Sequence, residues 1–139
     1  MDIPPYEYKF DEAIKTLRTN LMFCGVNVKT IMLTSTLPNE GKSLVTFSLA
    51  ASLAQTGKKV LMVDTDIRKS VFLSRYHLDK EVKGLSEYLS GQEAKENIVY
   101  CTNVENLSII FAGANAPNPA ELLEEAEFDS LLRWARAGY

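Results

Sequence analysis

Histidine and cysteine are scarce in this chain. One His and two Cys stand among 139 residues. His77 has no companion spaced for a metal centre or a catalytic triad, so it reads as structural. Cys24 and Cys101 lie far apart and form no CxxC, which argues against a disulfide framework and fits a reduced cytosolic setting. No apolar run approaches the roughly 20 residues that a membrane helix needs. The N-terminus offers acidic residues and prolines where a signal peptide has a basic start and an apolar run. Any membrane association is therefore expected through a partner. Internal repeats and low-complexity tracts are missing too. The net charge is −3, without the basic excess of a nucleic-acid binder, so no nucleic-acid partner is expected.

What is present describes an ordinary globular chain: 46% hydrophobic and 24% charged residues, at a length that suits one domain or most of one. The charge is uneven. Residues 1–95 carry 13 Lys/Arg against 11 Asp/Glu, and residues 96–139 carry 2 against 7. Apolar residues interrupt the acidic part throughout, so it reads as a solvated face.

The chain is organised around Ser35–Ser43, STLPNEGKS. A β-prone run, Thr30–Thr34, leads in, and an Ala-rich helical run, Leu44–Gln55, leads out. Strand, tight polar loop with Gly-Lys-Ser, then helix is the setting of a phosphate-binding loop. There the backbone N–H groups and the helix N-terminus favour an anion. Gly41 permits close backbone approach, Lys42 brings a positive charge to the outer phosphates, and Ser43 offers a hydroxyl to Mg²⁺. The match is imperfect, because Thr36 stands where the common pattern has its first glycine. The bland alternative is a β-to-α turn with an accidental lysine.

Around this loop the spacing predicts an irregular lead-in over 1–9 and an amphipathic helix over Phe10–Phe23. Glu12, Lys15 and Arg18 make a charged stripe on that helix, which alone reads as a solvated face. A strand is expected at Thr30–Thr34, a buried helix over Ser43–Gln55 and a buried strand at Lys59–Asp64. Short helices are expected over Ser70–Leu78 and Gly84–Leu89, strands at Asn97–Cys101 and Leu107–Phe111, and helices over Ala120–Glu127 and Phe128–Ala137. The alternation implies an α/β fold with a parallel sheet and helices on both faces. Only about three convincing strands can be found, fewer than a mean sheet holds.

The strand at Lys59–Asp64 runs into DTDIRKS. Asp64, Asp66 and Arg68 thus fall at the carboxyl end of a strand, where open α/β sheets bind ligands. Two carboxylates beside a triphosphate call for a cation between them, so Mg²⁺ coordination or proton abstraction is the expected use.

TLPNEGKS followed by VLMVDTDIRKS resembles the bacterial tyrosine kinases of exopolysaccharide and capsule synthesis. Ser35, Pro38, Glu40, Gly41, Lys42 and Ser43 match that family's loop pattern S-x-x-P-x-E-G-K-[ST]. Val63, Asp64, Asp66 and Arg68 match its second motif, V-D-x-D-x-R. Glu12, Arg18, Thr19 and Asn20 match E-x-x-R-x-x-R-T-N, with Lys15 in place of an arginine. GLSEYLSG and APNPAELL look like family segments, the latter with Ala116 where proline is frequent. The resemblance runs from about Glu12 to Tyr139, and implies that 10–139 is the N-terminal portion of a P-loop kinase domain whose third acidic motif and C-terminal strands lie beyond this sequence.

The resemblance implies ATP and Mg²⁺ as cofactors. Pro38, Asn39, Glu40, Gly41, Lys42, Ser43 and Arg68 would bind the nucleotide. Ser43 and Asp64 would serve the metal, and Lys42, Asp64 and Asp66 the chemistry. It further implies a ring-like homo-oligomer contacting through Glu12, Lys15 and Arg18, and a transmembrane adaptor of polysaccharide export as activator. Tyrosines of protein substrates, its own included, would be phosphorylated at the inner face of the membrane. Two other readings compete. One is a partition-type ATPase, against which Leu37, Pro38 and Asn39 break the K-G-G-x-G-K-[ST] pattern. The other is a nucleotide-dependent assembly module without catalysis.

Overall fold

The computed structural model describes residues 8–68, 70, 72 and 82–139. His77 and most of the expected Ser70–Leu78 helix lie outside them. In chain order the elements are α1 (Tyr8–Met22), α2 (Lys42–Ala54), β1 (Val60–Val63), α3 (Leu85–Leu89), a 3₁₀ turn (Lys95–Asn97), β2 (Val99–Cys101), β3 (Leu107–Ile110), α4 (Pro119–Glu124) and α5 (Ala126–Gly138). Helix α1 starts two residues before the apolar spacing indicates, taking in Tyr8 and Lys9. Pro119 opens α4 at a position where a missing N–H costs nothing.

The sheet is mixed, in the order β1-β3-β2. β1 and β3 pair in parallel, with Val60 opposite Leu107 and Val63 opposite Ile110. β2 pairs antiparallel with β3, Val99 facing Ile110. A wholly parallel sheet was not available to these strands. The turn Thr102–Asn106 is far too short for the crossover that a parallel connection requires. Thr102 shapes the turn, its hydroxyl donating to the Val104 and Leu107 carbonyls and accepting from Val104 N–H at 3.0–3.1 Å.

Strand alternation sorts the apolar residues onto two faces. Val60, Met62, Leu107 and Ile109 meet Phe47, Ala50, Ala51 and Ala54 of α2. Leu61, Val63, Val99 and Ile110 meet Leu85 and Leu89 of α3 and Leu131 of α5. The α2 core is aromatic in part: Phe47, Phe72 and Phe111 form a chain of tilted rings with centroids 5.9 Å apart. Helix α1 lies outside α2, burying Ile14. Arg18 ties the two helices, donating to the Ser52 carbonyl at 3.1 Å and its hydroxyl at 2.9 Å.

Thr30–Thr34 is not a strand. Ile31 and Met32 stay 38% and 86% exposed, and no described strand pairs with this run. A β-prone sequence becomes a strand only where a neighbour accepts its ladder hydrogen bonds and covers its side chains. The run is held at one end instead. Lys29 Nζ donates to the main-chain oxygens of Arg136 and Tyr139 at 2.8 and 2.9 Å, capping α5. Arg136 Nε donates to the Thr30 hydroxyl at 2.9 Å.

Phe47 is completely buried in the α2 core. Phe47→Ala is expected to lower unfolding free energy by about 3–5 kcal/mol, read as a reduced midpoint in urea denaturation with the slope unchanged.

Candidate functional site

Helix α2 and β1 are joined by the short turn Gln55–Lys59, and α2 packs along β1. The start of α2 therefore lies toward the end of β1, so the loop before α2 and the residues after Val63 share the carboxyl rim of the sheet. The phosphate-loop candidates and the acidic candidates are brought to one side by topology.

The loop has the backbone of an anion site. Asn39 and Gly41 take positive φ, 62° and 81°. Gly41 is the N-cap of α2, and no side chain caps the helix. The N–H groups of its first turn are thus left for a ligand. Lys42 is exposed and Ser43 half-buried. Thr46 donates to the Lys42 carbonyl at 2.7 Å, anchoring the turn behind the lysine. Uncapped donors, a glycine at the cap and a free-standing lysine fit a nucleotide phosphate chain.

Glu40 has a different task from the neighbours grouped with it. Its Oε2 accepts from the N–H groups of Thr36 and Leu37 at 3.1 and 3.2 Å. The carboxylate closes the loop on itself and holds Pro38 and Asn39, both exposed, at the bend. Ser35 donates to the Leu37 carbonyl at 3.1 Å from the other side.

The acidic loop is more firmly built. Asp64 N–H continues the ladder to the Ile110 carbonyl at 2.9 Å. Its Oδ1 accepts from Asp66 N–H at 3.0 Å and its Oδ2 from the Ser70 hydroxyl at 2.5 Å. Ile67 is completely buried among Leu85, Ile110 and Leu131, which pins the loop between Asp66 and Arg68. Asp66 is half-buried and Arg68 exposed. Among the described residues, no three His, Cys, Asp or Glu side chains group to hold a metal. A Mg²⁺ ion here would lean on Ser43, Asp64, phosphate oxygens and water, as that ion commonly does.

The charged stripe of α1 is divided. Lys15 lies 2.9 Å from Asp11 and 3.1 Å from Glu12. The hydrogen bonds it donates to Asp11 and then Glu12 hold its pKa above the ordinary lysine value. Arg18 turns inward to Ser52, so Glu12 and Lys15 stand exposed without it.

Two contributors escape motif reading. Ser70, the last residue of the DTDIRKS run, has no role in that motif, and its hydroxyl orients Asp64. Glu87 is buried, 8% exposed. Its Oε2 accepts from Gly84 N–H at 2.7 Å and the Ser86 hydroxyl at 3.2 Å, and its Oε1 from Ala114 N–H at 3.0 Å. Burial pushes its pKa up, but the Gly84 and Ala114 N–H groups, its own N–H and Ser86 outweigh that and hold it below the ordinary value.

Residues 31–133 match the family model of the CobQ/CobB/MinD/ParA nucleotide-binding domain. The chain belongs to this family. Within it the chain is similar to bacterial tyrosine-protein kinases. It is 40% identical to the tyrosine-protein kinase CpsD of Streptococcus agalactiae over 124 residues, 89% of this chain and 54% of that protein. It is 38% identical to the tyrosine-protein kinase YwqD of Bacillus subtilis over 130 residues, 92% of this chain and 54% of that one. The solved kinase domain of the Escherichia coli tyrosine kinase ETK superposes with a TM-score of 0.86 at 34% identity, covering 93% of this chain and 51% of that one. The chain spans about half the length of these relatives.

Gly41→Ala meets no steric obstacle at its Cβ and acts through its positive φ alone, so a stability loss of about 1 kcal/mol is expected in thermal unfolding. For Glu87, the depressed carboxyl makes a stabilising contribution present above the unfolded value of 4.5 and lost as pH falls through the lower folded value. The stability gap between the wild type and Glu87→Gln should therefore be constant near neutrality and shrink below that value, measured by urea unfolding across pH.

Proposed function

We propose that this chain is the nucleotide-binding portion of a bacterial tyrosine kinase of capsule or exopolysaccharide synthesis, and that it moves the γ-phosphoryl group of ATP to tyrosine hydroxyls, its own included. The observation that carries this is the pairing on one rim of an uncapped, lysine-bearing loop at α2 with a loop that fixes Asp64 by both oxygens. The similarity to CpsD, YwqD and ETK supports it.

Phosphoryl transfer asks a protein mainly for positioning and charge neutralisation. The amides of Gly41 to Leu44 and the Lys42 ammonium bind the β- and γ-phosphates, while Pro38, Asn39 and the Glu40 brace shape the loop and Arg68 reaches the nucleotide from the acidic side. The Ser43 hydroxyl and Asp64 would hold Mg²⁺, which when bound would supply charge neutralisation at the phosphates. The tyrosine oxygen bonds to the γ-phosphorus as the bond to the β,γ-bridging oxygen breaks. Asp66, beside Asp64, takes the phenolic proton.

No described helix is long and apolar enough to cross a membrane. The proposed setting is the cytoplasmic side, with a transmembrane adaptor of polysaccharide export as activator. The proposed self-assembly uses Glu12 and Lys15 on the open face of α1, with Arg18 behind them.

Incubation with γ-labelled ATP, followed by acid hydrolysis, tests the reading. Phosphotyrosine is expected. Released phosphate alone indicates a partition-type ATPase, and neither product indicates an assembly module. Lys42→Met should abolish ATP binding in a fluorescent-nucleotide titration. Asp64→Asn should slow transfer at least tenfold while leaving affinity within about threefold; equal losses in both would remove Asp64 from the chemical step.

A further inference from the structure

Glu87 is a buried carboxylate that phosphoryl transfer does not use. It lies on α3, across the molecule's second core from β1, yet its hydrogen bonds lead toward the acidic loop. Helix α3 is docked on the end of β3: Leu85 N–H donates to the Phe111 carbonyl at 2.8 Å and Ser86 N–H to the Ala112 carbonyl at 2.9 Å. This sets the Glu87 side chain under the segment that follows β3. Its Oε1 there accepts from Ala114 N–H. Two residues on, Ala116 N–H donates to the Ile67 carbonyl at 2.9 Å, within the stretch between Asp66 and Arg68. Residues 113–116 thus form a bracket with one foot on Glu87 and the other on the acidic loop.

The surroundings admit little else. Gly113 has φ +81°, and a Cβ there would fall 2.1 Å from Glu87 Oε2 and 2.5 Å from the Ser86 hydroxyl. A Cβ on Gly84 would fall 2.3 Å from the Phe111 carbonyl oxygen. Two glycines make the cavity, and a carboxylate fills it. Every donor there is an N–H or O–H, so a group with two acceptor oxygens and no hydrogen is required. A glutamine would turn its NH₂ toward Gly84 N–H or Ala114 N–H.

We infer that Glu87 is a positioning residue for the acidic loop, acting through the 113–116 bracket on Ile67 and so on Asp66 and Arg68. The inference rests on the reading of that loop as the phosphoryl-transfer loop. The second foot depends on the Ala116 N–H, which a proline at this place could not supply.

The test has two arms on the full 139-residue chain. Amide hydrogen exchange comes first, since it needs no activity. Glu87→Gln should raise exchange at Ala114, Ala116 and Asp66 roughly tenfold, leaving Val45 in α2 unchanged. Ser86→Ala, which leaves the Oε1 contact intact, should spare Ala116 and Asp66. Ala116→Pro removes the second foot without touching Glu87; it should raise exchange at Asp66 and not at Gly84, and it serves should Glu87→Gln fail to fold. The second arm separates transfer from binding. Glu87→Gln should slow phosphotyrosine formation roughly tenfold, with a smaller loss of ATP affinity, about threefold, through the displaced Arg68. Unchanged exchange at Asp66 in both variants overturns the inference, as does a loss spread evenly over α2 and the sheet. A wild-type chain that forms no phosphotyrosine overturns the kinase reading instead, and the exchange arm still decides whether Glu87 holds the loop.

Discussion

The parallel ladder between Val60–Val63 and Leu107–Ile110 fixes the place of both halves of the candidate site. It runs one residue beyond the strands, where Asp64 N–H reaches the Ile110 carbonyl, so the main chain that carries the first carboxylate is part of the sheet's own hydrogen bonding. The side chains of the same residues, alternating, bind α2 to one face and α3 and α5 to the other. Because α2 returns to β1 through a short turn, its N-terminus must rise to the rim where Asp64 sits. Loss of this ladder would separate the loop before α2 from the acids after β1 and would release Asp64 N–H from the Ile110 carbonyl.

The two halves of the rim are built to different firmness. The acidic side is braced three times: by the ladder, by the buried Ile67 side chain, and by Ala116 on the Ile67 carbonyl. The phosphate side braces itself through Glu40 and is otherwise exposed from Thr36 to Glu40. That is a reasonable division for a site where one partner must admit a ligand and the other must hold a fixed direction.

Much of this was legible in the order of residues. The continuous apolar run before Asp64 announced a strand covered on both faces, and the Ala-rich run after Ser43 a buried helix, because each pattern reflects burial directly. Gly-Lys-Ser ahead of that helix and the two acids at the end of that strand pointed to the candidate site. What stayed hidden depends on partners distant in sequence. Thr30–Thr34 has strand composition but no ladder partner among the described residues. β2 looked like any other strand, and only the length of its turn to β3 sets its direction. Arg18 read as part of an open stripe, and only the packing of α1 on α2 turns it to Ser52. Glu87 fell within an expected short helix without a role of its own, whereas the docking of α3 on the end of β3 buries it. Side chains whose role is set by the nearest few residues can be read; those whose role is set by another layer cannot.

The tether from Lys29 to the end of α5 has a consequence for how the phosphate loop behaves. It grips main-chain oxygens, so it is indifferent to which side chains α5 carries, and it holds the approach to the loop at its far end only. Between Thr30 and Thr34 the chain has no ladder among the described residues, and only Leu33 is partly covered. A ligand that requires one loop geometry must then supply the ordering of this approach from its own contact energy. Apparent affinity would fall by the fraction of time the approach is out of place. Whatever pins the run along its length, whether more chain or another protein, would act as a regulator of affinity while touching no atom of the nucleotide.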